Sequence, residues 1–194
     1  CRAVREAVGP SIPLMLDPYH YYSREEALRL AKGLEELDFL WLEEPMDEHS
    51  ELSYRFLTEH TAMNICGPET VEGKYYTRAN WIRNGAAGIG RAGAITSGGI
   101  TPVLKTIHLY EANNMTIELH GSHIGNLHLL GAMGIDGRYF ERGLLHPLLD
   151  YEKPKPWLNS IFDKMDGNGD VIIPSAPGLG YDINWDYINN NIIR

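Results

Sequence analysis

Long apolar runs are missing from this chain of 194 residues. No stretch of about 18 apolar residues occurs, which excludes a spanning helix of the usual kind. The first residues, CRAVREAVGPSIPLML, lack the basic start, apolar centre and small cleavage site of a signal peptide. Cysteine is scarce: Cys1 and Cys66 are the two in the sequence, and they read as free thiols rather than a disulfide or metal pair. With no targeting signal, the expected location is the cytoplasm. Positive charge is also short. Seventeen Lys and Arg stand against 26 Asp and Glu, a formal charge of −9, which argues against a general nucleic-acid binder. An anionic substrate remains compatible, because a bound metal ion inverts the local field. No repeat beyond strand–helix alternation occurs, nor any low-complexity segment. Hydrophobic residues make up 43%, enough for a packed core.

Short apolar runs alternate with amphipathic stretches. Ile12–Leu16, Phe39–Leu42, Met63–Cys66, Ala86–Arg91, Met115–Leu119 and Arg138–Phe140 read as buried parallel strands. Between them, helices are expected over 23–37, 48–57, 71–84, 101–113 and 126–133. Ser23 and Glu26 form a capping-box pattern, and Ala27, Leu30, Ala31, Leu34 and Leu37 follow at helical spacing. Thr101 is expected to cap its helix, with Pro102 in the first turn. This alternation implies an α/β chain and favours a (β/α) barrel of the TIM type. The acidic stretch 163–170 lacks the spacing and closing Glu of a calcium loop. Asn168-Gly169 is better read as a turn between two strands.

Asp17, Glu43 and Glu69 each follow an expected strand, and both intervals are 26 residues. One strand–helix unit has about that length, so the three occupy equivalent places on successive strands. Barrel active sites lie at those C-terminal strand ends. Three carboxylates converging there repel unless a cation joins them, and an open all-oxygen site suits Mg²⁺. Spacing alone also allows three unrelated surface acids.

LMLD at 14–17, WLEEP at 41–45, GPET at 67–70, SGGIT at 97–101, ELH at 118–120 and FER at 140–142 stand in a fixed order. So does the ending GDVIIPSAPGLGYDIN, 169–184. This ordered set resembles the mandelate racemase and muconate lactonizing enzyme branch of the enolase superfamily. The resemblance covers nearly the whole chain and implies that residues 1–194 are the C-terminal barrel portion, about the third to the eighth strand. It implies Asp17, Glu43 and Glu69 as Mg²⁺ ligands, with Glu44 supporting them from behind. It also implies His120 as the acid or base on the seventh strand and Glu141 as the acid ending the eighth. A structural ion pair for Glu141 with Arg142 or another base is the competing reading. Tyr19 and His20 follow the first ligand and could face substrate, or could form an aromatic packing loop. His123 and His128 read as loop or helix residues.

Two departures stand out. The family's sixth strand ends in an Asp that orients the His, and the matching position here is Gly93. Arg91 and Glu118 are the candidate substitutes. The second departure is length: an N-terminal α+β capping domain and two earlier strands, one bearing a catalytic Lys, have no room before Asp17. A six-strand arc leaves two open edges, which is implausible for a free monomer, and the tail, about 145–194, is expected to pack toward the missing cap. The implied chemistry is removal of a proton alpha to a carboxylate through an enolate, with an acid-sugar dehydratase as the expected activity. A small-molecule carboxylate substrate and a homo-oligomer are the expected partners, with neither nucleic acid nor membrane. Racemase, epimerase or cycloisomerase activity is the alternative, as is a non-catalytic ligand-binding homologue.

Overall fold

The computed structural model describes residues 1–72, 74–133, 139–143 and 152–193. Its centre is a sheet of five parallel strands in simple sequential order. They are β1 (Leu14–Leu16), β2 (Phe39–Glu43), β3 (Ile65–Cys66), β4 (Ile89–Ala92) and β5 (Thr116–Leu119). Each strand is followed by a helix: α2 (Arg24–Glu35), α3 (Glu51–His60), α4 (Lys74–Asn84), α5 (Ile100–Ala112) and α6 (Ile124–Ala132). The sheet curls as half of a (β/α) barrel, the C-terminal portion of the TIM-type barrel that the sequence implied. A short helix at each end, α1 (Arg2–Val8) and α7 (Trp185–Asn190), completes the described elements.

Among the described residues, five strands are present where six were expected. Of the sixth, these residues show one parallel bridge, Leu119 to Phe140, and Arg138 lies outside them. Helix α5 also starts differently. Gly99 occupies its N-cap at φ 111°, so Thr101 is already inside the first turn and does not cap it. A left-handed backbone at that point favours glycine over a β-branched residue. Helix α1 gave no sequence signal because it buries no residue. It is held by Arg5, whose guanidinium donates to the carbonyls of Leu37, Gly9, Ile12 and Asp38, each at 2.8 Å.

The capping box of α2 forms as read. Glu26 Oε2 accepts from the Ser23 N–H at 3.0 Å and its hydroxyl at 2.5 Å. In the tail, Met165 and Val171 pair antiparallel around Asn168-Gly169, and Asp166 Oδ1 accepts the N–H groups of Asn168 and Asp170. Cys1 is exposed and Cys66 buried, both as free thiols. Among the described residues, no helix is long and apolar enough to cross a membrane.

Strand alternation sorts the core. Residues facing the helices form two clusters. One joins Ala27, Ala31, Leu34, Leu42, Tyr54, Leu57, Ile65 and Trp81, and the other Val103, Ile107, Tyr110, Ile117, Leu119 and Leu129. Trp41, Cys66 and Ile89 form a third, smaller cluster with Met15 and Tyr139. Gly90 faces Tyr110 so closely that an added Cβ would lie 2.3 Å from its ring. Along the strands, Glu43 lies two residues beyond Trp41 and Arg91 two beyond Ile89. The same alternation therefore carries charged side chains to the C-terminal rim.

Candidate active site

Arg91 is the hub of that rim. It is buried on β4, and its Nη2 lies 2.6 Å from Glu43 Oε1 and 2.5 Å from Glu141 Oε2. Its Nε lies 3.4 Å from Glu69 Oε2. One guanidinium thus binds acids from the ends of β2, β3 and the last bridge. Burial works against the Arg91 cation, but the carboxylates outweigh it and raise its pKa.

The acids respond to the same forces in different proportions. Burial pushes the Glu43 carboxyl up to about 7, even though Arg91 opposes this. Its Oε2 accepts from the Trp41 indole N–H at 3.0 Å. Its Oε1 is buried and has no hydrogen-bond donor in good geometry, despite its closeness to Arg91. Asp17 is raised by burial and by Glu69 and Glu141, while Tyr19 N–H and Arg91 pull it down. Glu141 is partly buried, yet His120 and Arg91 hold it down at about 2. Its pairing is therefore with Arg91, His120 and the Gly121 N–H. Arg142 pairs elsewhere, with Glu152 and Asp163.

His120 follows β5 and turns its imidazole toward the carboxylates. Nδ1 lies 2.9 Å from Glu69 Oε2 and 3.5 Å from Glu141 Oε2. Hydrogen bonds to Glu141 and Glu69 lift its pKa to about 10. Gly93 has no room for the family's Asp: an added Cβ would fall 2.8 Å from the His120 carbonyl oxygen. Glu118 pairs in register with Arg91 and lines a cavity of about 330 Å³ with Trp41, Ile89 and Tyr139, while the acids on His120 Nδ1 are Glu69 and Glu141.

The loop after β1 sits beside this cluster. Asp17 Oδ1 accepts the Tyr19 N–H at 2.9 Å. Tyr19 stacks on His20 and is 65% exposed, so its ring does not point inward. His20 Nε2 reaches Glu44 Oε2 at 3.1 Å. Burial, with Glu69, Glu48, Asp17 and Glu43 adding repulsion, pushes Glu44 up to about 9. Among the described residues, the trio whose ligand atoms all come within 4.8 Å of one another is His20, Glu44 and Glu48. Asp17, Glu43 and Glu69 form a wider set with Arg91 among them. His123 is at the N-terminus of α6 and His128 within it.

A divalent cation fits Asp17, Glu43 and Glu69 by donor chemistry. All three offer hard carboxylate oxygens, and Glu43 Oε1 is a buried acceptor lacking a hydrogen-bond donor. Sequence reasoning missed Glu48 and Arg78. Both lie in stretches expected to be helix, and both are fully buried.

Known proteins share this fold. The fold matches the crystal structure of D-glucarate dehydratase from Agrobacterium tumefaciens complexed with magnesium, with a TM-score of 0.95 and 50% identity, over 100% of this chain and 50% of that one. Arabinonate dehydratase of Saccharolobus solfataricus is 31% identical over 191 residues, 94% of this chain and 48% of that protein. D-galactarolactone cycloisomerase of Agrobacterium fabrum is 28% identical over 194 residues, 95% of this chain and 50% of that protein. The chain thus spans about half the length of the curated relatives it matches. The enolase C-terminal domain-like family matches residues 1–187, and the chain belongs to that family.

Proposed function

We propose that this chain carries the metal-binding and His-bearing half of an acid-sugar dehydratase, acting on an aldonate or aldarate in the cytoplasm. The observation that carries the reading is the convergence of Glu43, Glu69, Glu141 and His120 about Arg91 at the strand ends. Asp17, Glu43 and Glu69 would hold Mg²⁺, which when bound draws negative charge onto the substrate carboxylate oxygens. Charge developing there in the enolate is stabilised where preorganised opposite charge lowers a barrier most.

His120 moves a proton at Nε2, while Glu69 and Glu141 fix the ring through Nδ1. The alpha C–H bond breaks first. The alpha proton passes to His120 Nε2; the C–O bond to the β-hydroxyl then breaks as Nε2 returns a proton to that oxygen, water leaves, and the enol so formed tautomerises to the 2-keto acid. Glu141, held ionised by His120 and Arg91, orients rather than donates. Glu44 and His20 support the loop that carries Asp17, and Tyr19 lies at its exposed edge.

The test is Mg²⁺-dependent turnover of an acid-sugar panel by the intact gene product, with product identified by NMR. A 2-keto-3-deoxy acid is the expected product. The similarity to a cycloisomerase gives the second reading a concrete form: retention of all oxygens in the product would replace dehydration with isomerisation. Absence of turnover across the panel, with alpha-proton exchange also absent, would leave a ligand-binding homologue.

A further inference from the structure

Glu69 lies in the loop that leaves β3 after Cys66, on the way to α4. Loops have many conformations, and a side chain on one is placed only as well as its backbone is fixed. Two buried charged residues grip this backbone from its two chemical sides. Glu48 is 2% exposed. Its Oε1 accepts the Glu69 N–H at 2.6 Å, and its Oε2 accepts the N–H of Thr70 at 2.6 Å and of Val71 at 3.2 Å. The Thr70 hydroxyl also donates to Oε2, at 2.9 Å. Arg78, 1% exposed, takes the carbonyls. Its Nη2 donates to Pro68 and Glu69 at 3.0 and 2.9 Å, and its Nη1 to Val71 and Lys74 at 2.9 and 3.2 Å.

We propose that Glu48 and Arg78 are positioning residues that clamp the Glu69 backbone and so set the affinity of the site for its divalent cation. Neither touches the site's reacting atoms. A lone buried carboxylate or guanidinium is costly, and each is stabilised here by the backbone groups it satisfies. Glu48 Oε1 also lies 3.3 Å from where a Cβ on Gly67 would be, so the glycine leaves space for the carboxylate. Both Glu48 oxygens are engaged by the loop. Its closeness to His20 and Glu44 is accordingly read as packing and not as a second cation site. The inference rests on the reading of Glu69 as a metal ligand.

The test titrates Mn²⁺ into the intact gene product and follows the free-ion EPR signal for wild type, Glu48→Gln, Arg78→Lys, Glu43→Gln and Glu69→Gln. An amide cannot accept three N–H groups as a carboxylate does, and an ammonium cannot fork across four carbonyls. Glu48→Gln and Arg78→Lys should therefore weaken Mn²⁺ binding roughly 10–100-fold, the range for partners behind a metal ligand. Circular dichroism of the metal-free variants should stay at wild-type form. Loss of binding in Glu69→Gln with unchanged binding in Glu48→Gln overturns the clamp. Unchanged binding in both Glu43→Gln and Glu69→Gln overturns the metal reading itself, and the clamp's role in affinity with it. A second measurement does not depend on variants folding: the amides of Glu69, Thr70 and Val71 in wild type should be protected from hydrogen exchange. Exchange at the rate of an open loop would overturn the clamp directly.

Discussion

Nδ1 of His120 lies 2.9 Å from Oε2 of Glu69, so the imidazole is oriented by an acid from the neighbouring layer of strand ends rather than from β4. Such a partner fixes tautomer and ring angle as the family's Asp would. Replacement of His120 by Asn should lower exchange of the substrate alpha proton with D₂O by at least about a hundredfold, the usual lower range for a proton-transferring group. Mn²⁺ binding should survive. NMR of recovered substrate reads the exchange. Undiminished exchange would move the base to another residue.

Glu43→Gln should abolish turnover and leave the fold largely intact. The amide keeps the shape and the contact with the Trp41 indole through its oxygen, but it removes the charge that a divalent cation needs. Calorimetric titration with Mg²⁺ measures the loss. Wild-type affinity in this variant would remove Glu43 from the ligand set.

Gly90→Ala should cost about 1–3 kcal/mol of stability through overpacking. The added methyl meets the fully buried Tyr110 ring at 2.3 Å, and neither partner is at a free end. Denaturant unfolding monitored by circular dichroism gives the number. An unchanged midpoint would show that the strand and α5 slide apart freely.

Glu35 gives a pH prediction. The Thr61 hydroxyl, with the N–H groups of Met63 and Ala62, holds its carboxyl below the ordinary value of 4.5. Its folded pKa is depressed, so its stabilisation is present above that value and disappears as pH falls through the folded pKa. Wild type should be more stable than Glu35→Gln at pH 7, and the two should converge in acid. A gap between the unfolding midpoints that stays constant down to pH 2 would rule out this contribution.

Much of this was legible in the chain. Parallel strands announce themselves as short apolar runs, and Asp17 and Glu43 stand level at their strand ends, whereas Glu43 is in register with Cys66 and Glu69 lies three residues beyond it. The Ser23–Glu26 box depends on residues three apart and formed as read. What failed depended on distant neighbours. Glu48 stood at the start of an expected helix and was not singled out, because the N–H groups that satisfy it come from residues 21 to 23 positions later. Arg78, inside an expected helix, was not singled out either, because the main-chain carbonyls it binds, 4 to 10 positions earlier, carry no residue pattern. Gly93 read as a missing side chain, whereas its neighbour's backbone simply leaves no room for one. The start of α5 turned on Gly99's backbone angle, to which a search for hydroxyl caps is blind.

Strand β1 has a paired neighbour on one side of the sheet, β2. The groups on its other side are addressed by geometry alone, since main-chain donors and acceptors carry no residue identity. A half-barrel with such a border is interchangeable in kind: any parallel strand of matching twist and stagger could be stitched to it by backbone bonds. Strand β1 ends one residue before Asp17, so a strand stitched at this border would lie directly beside that carboxylate.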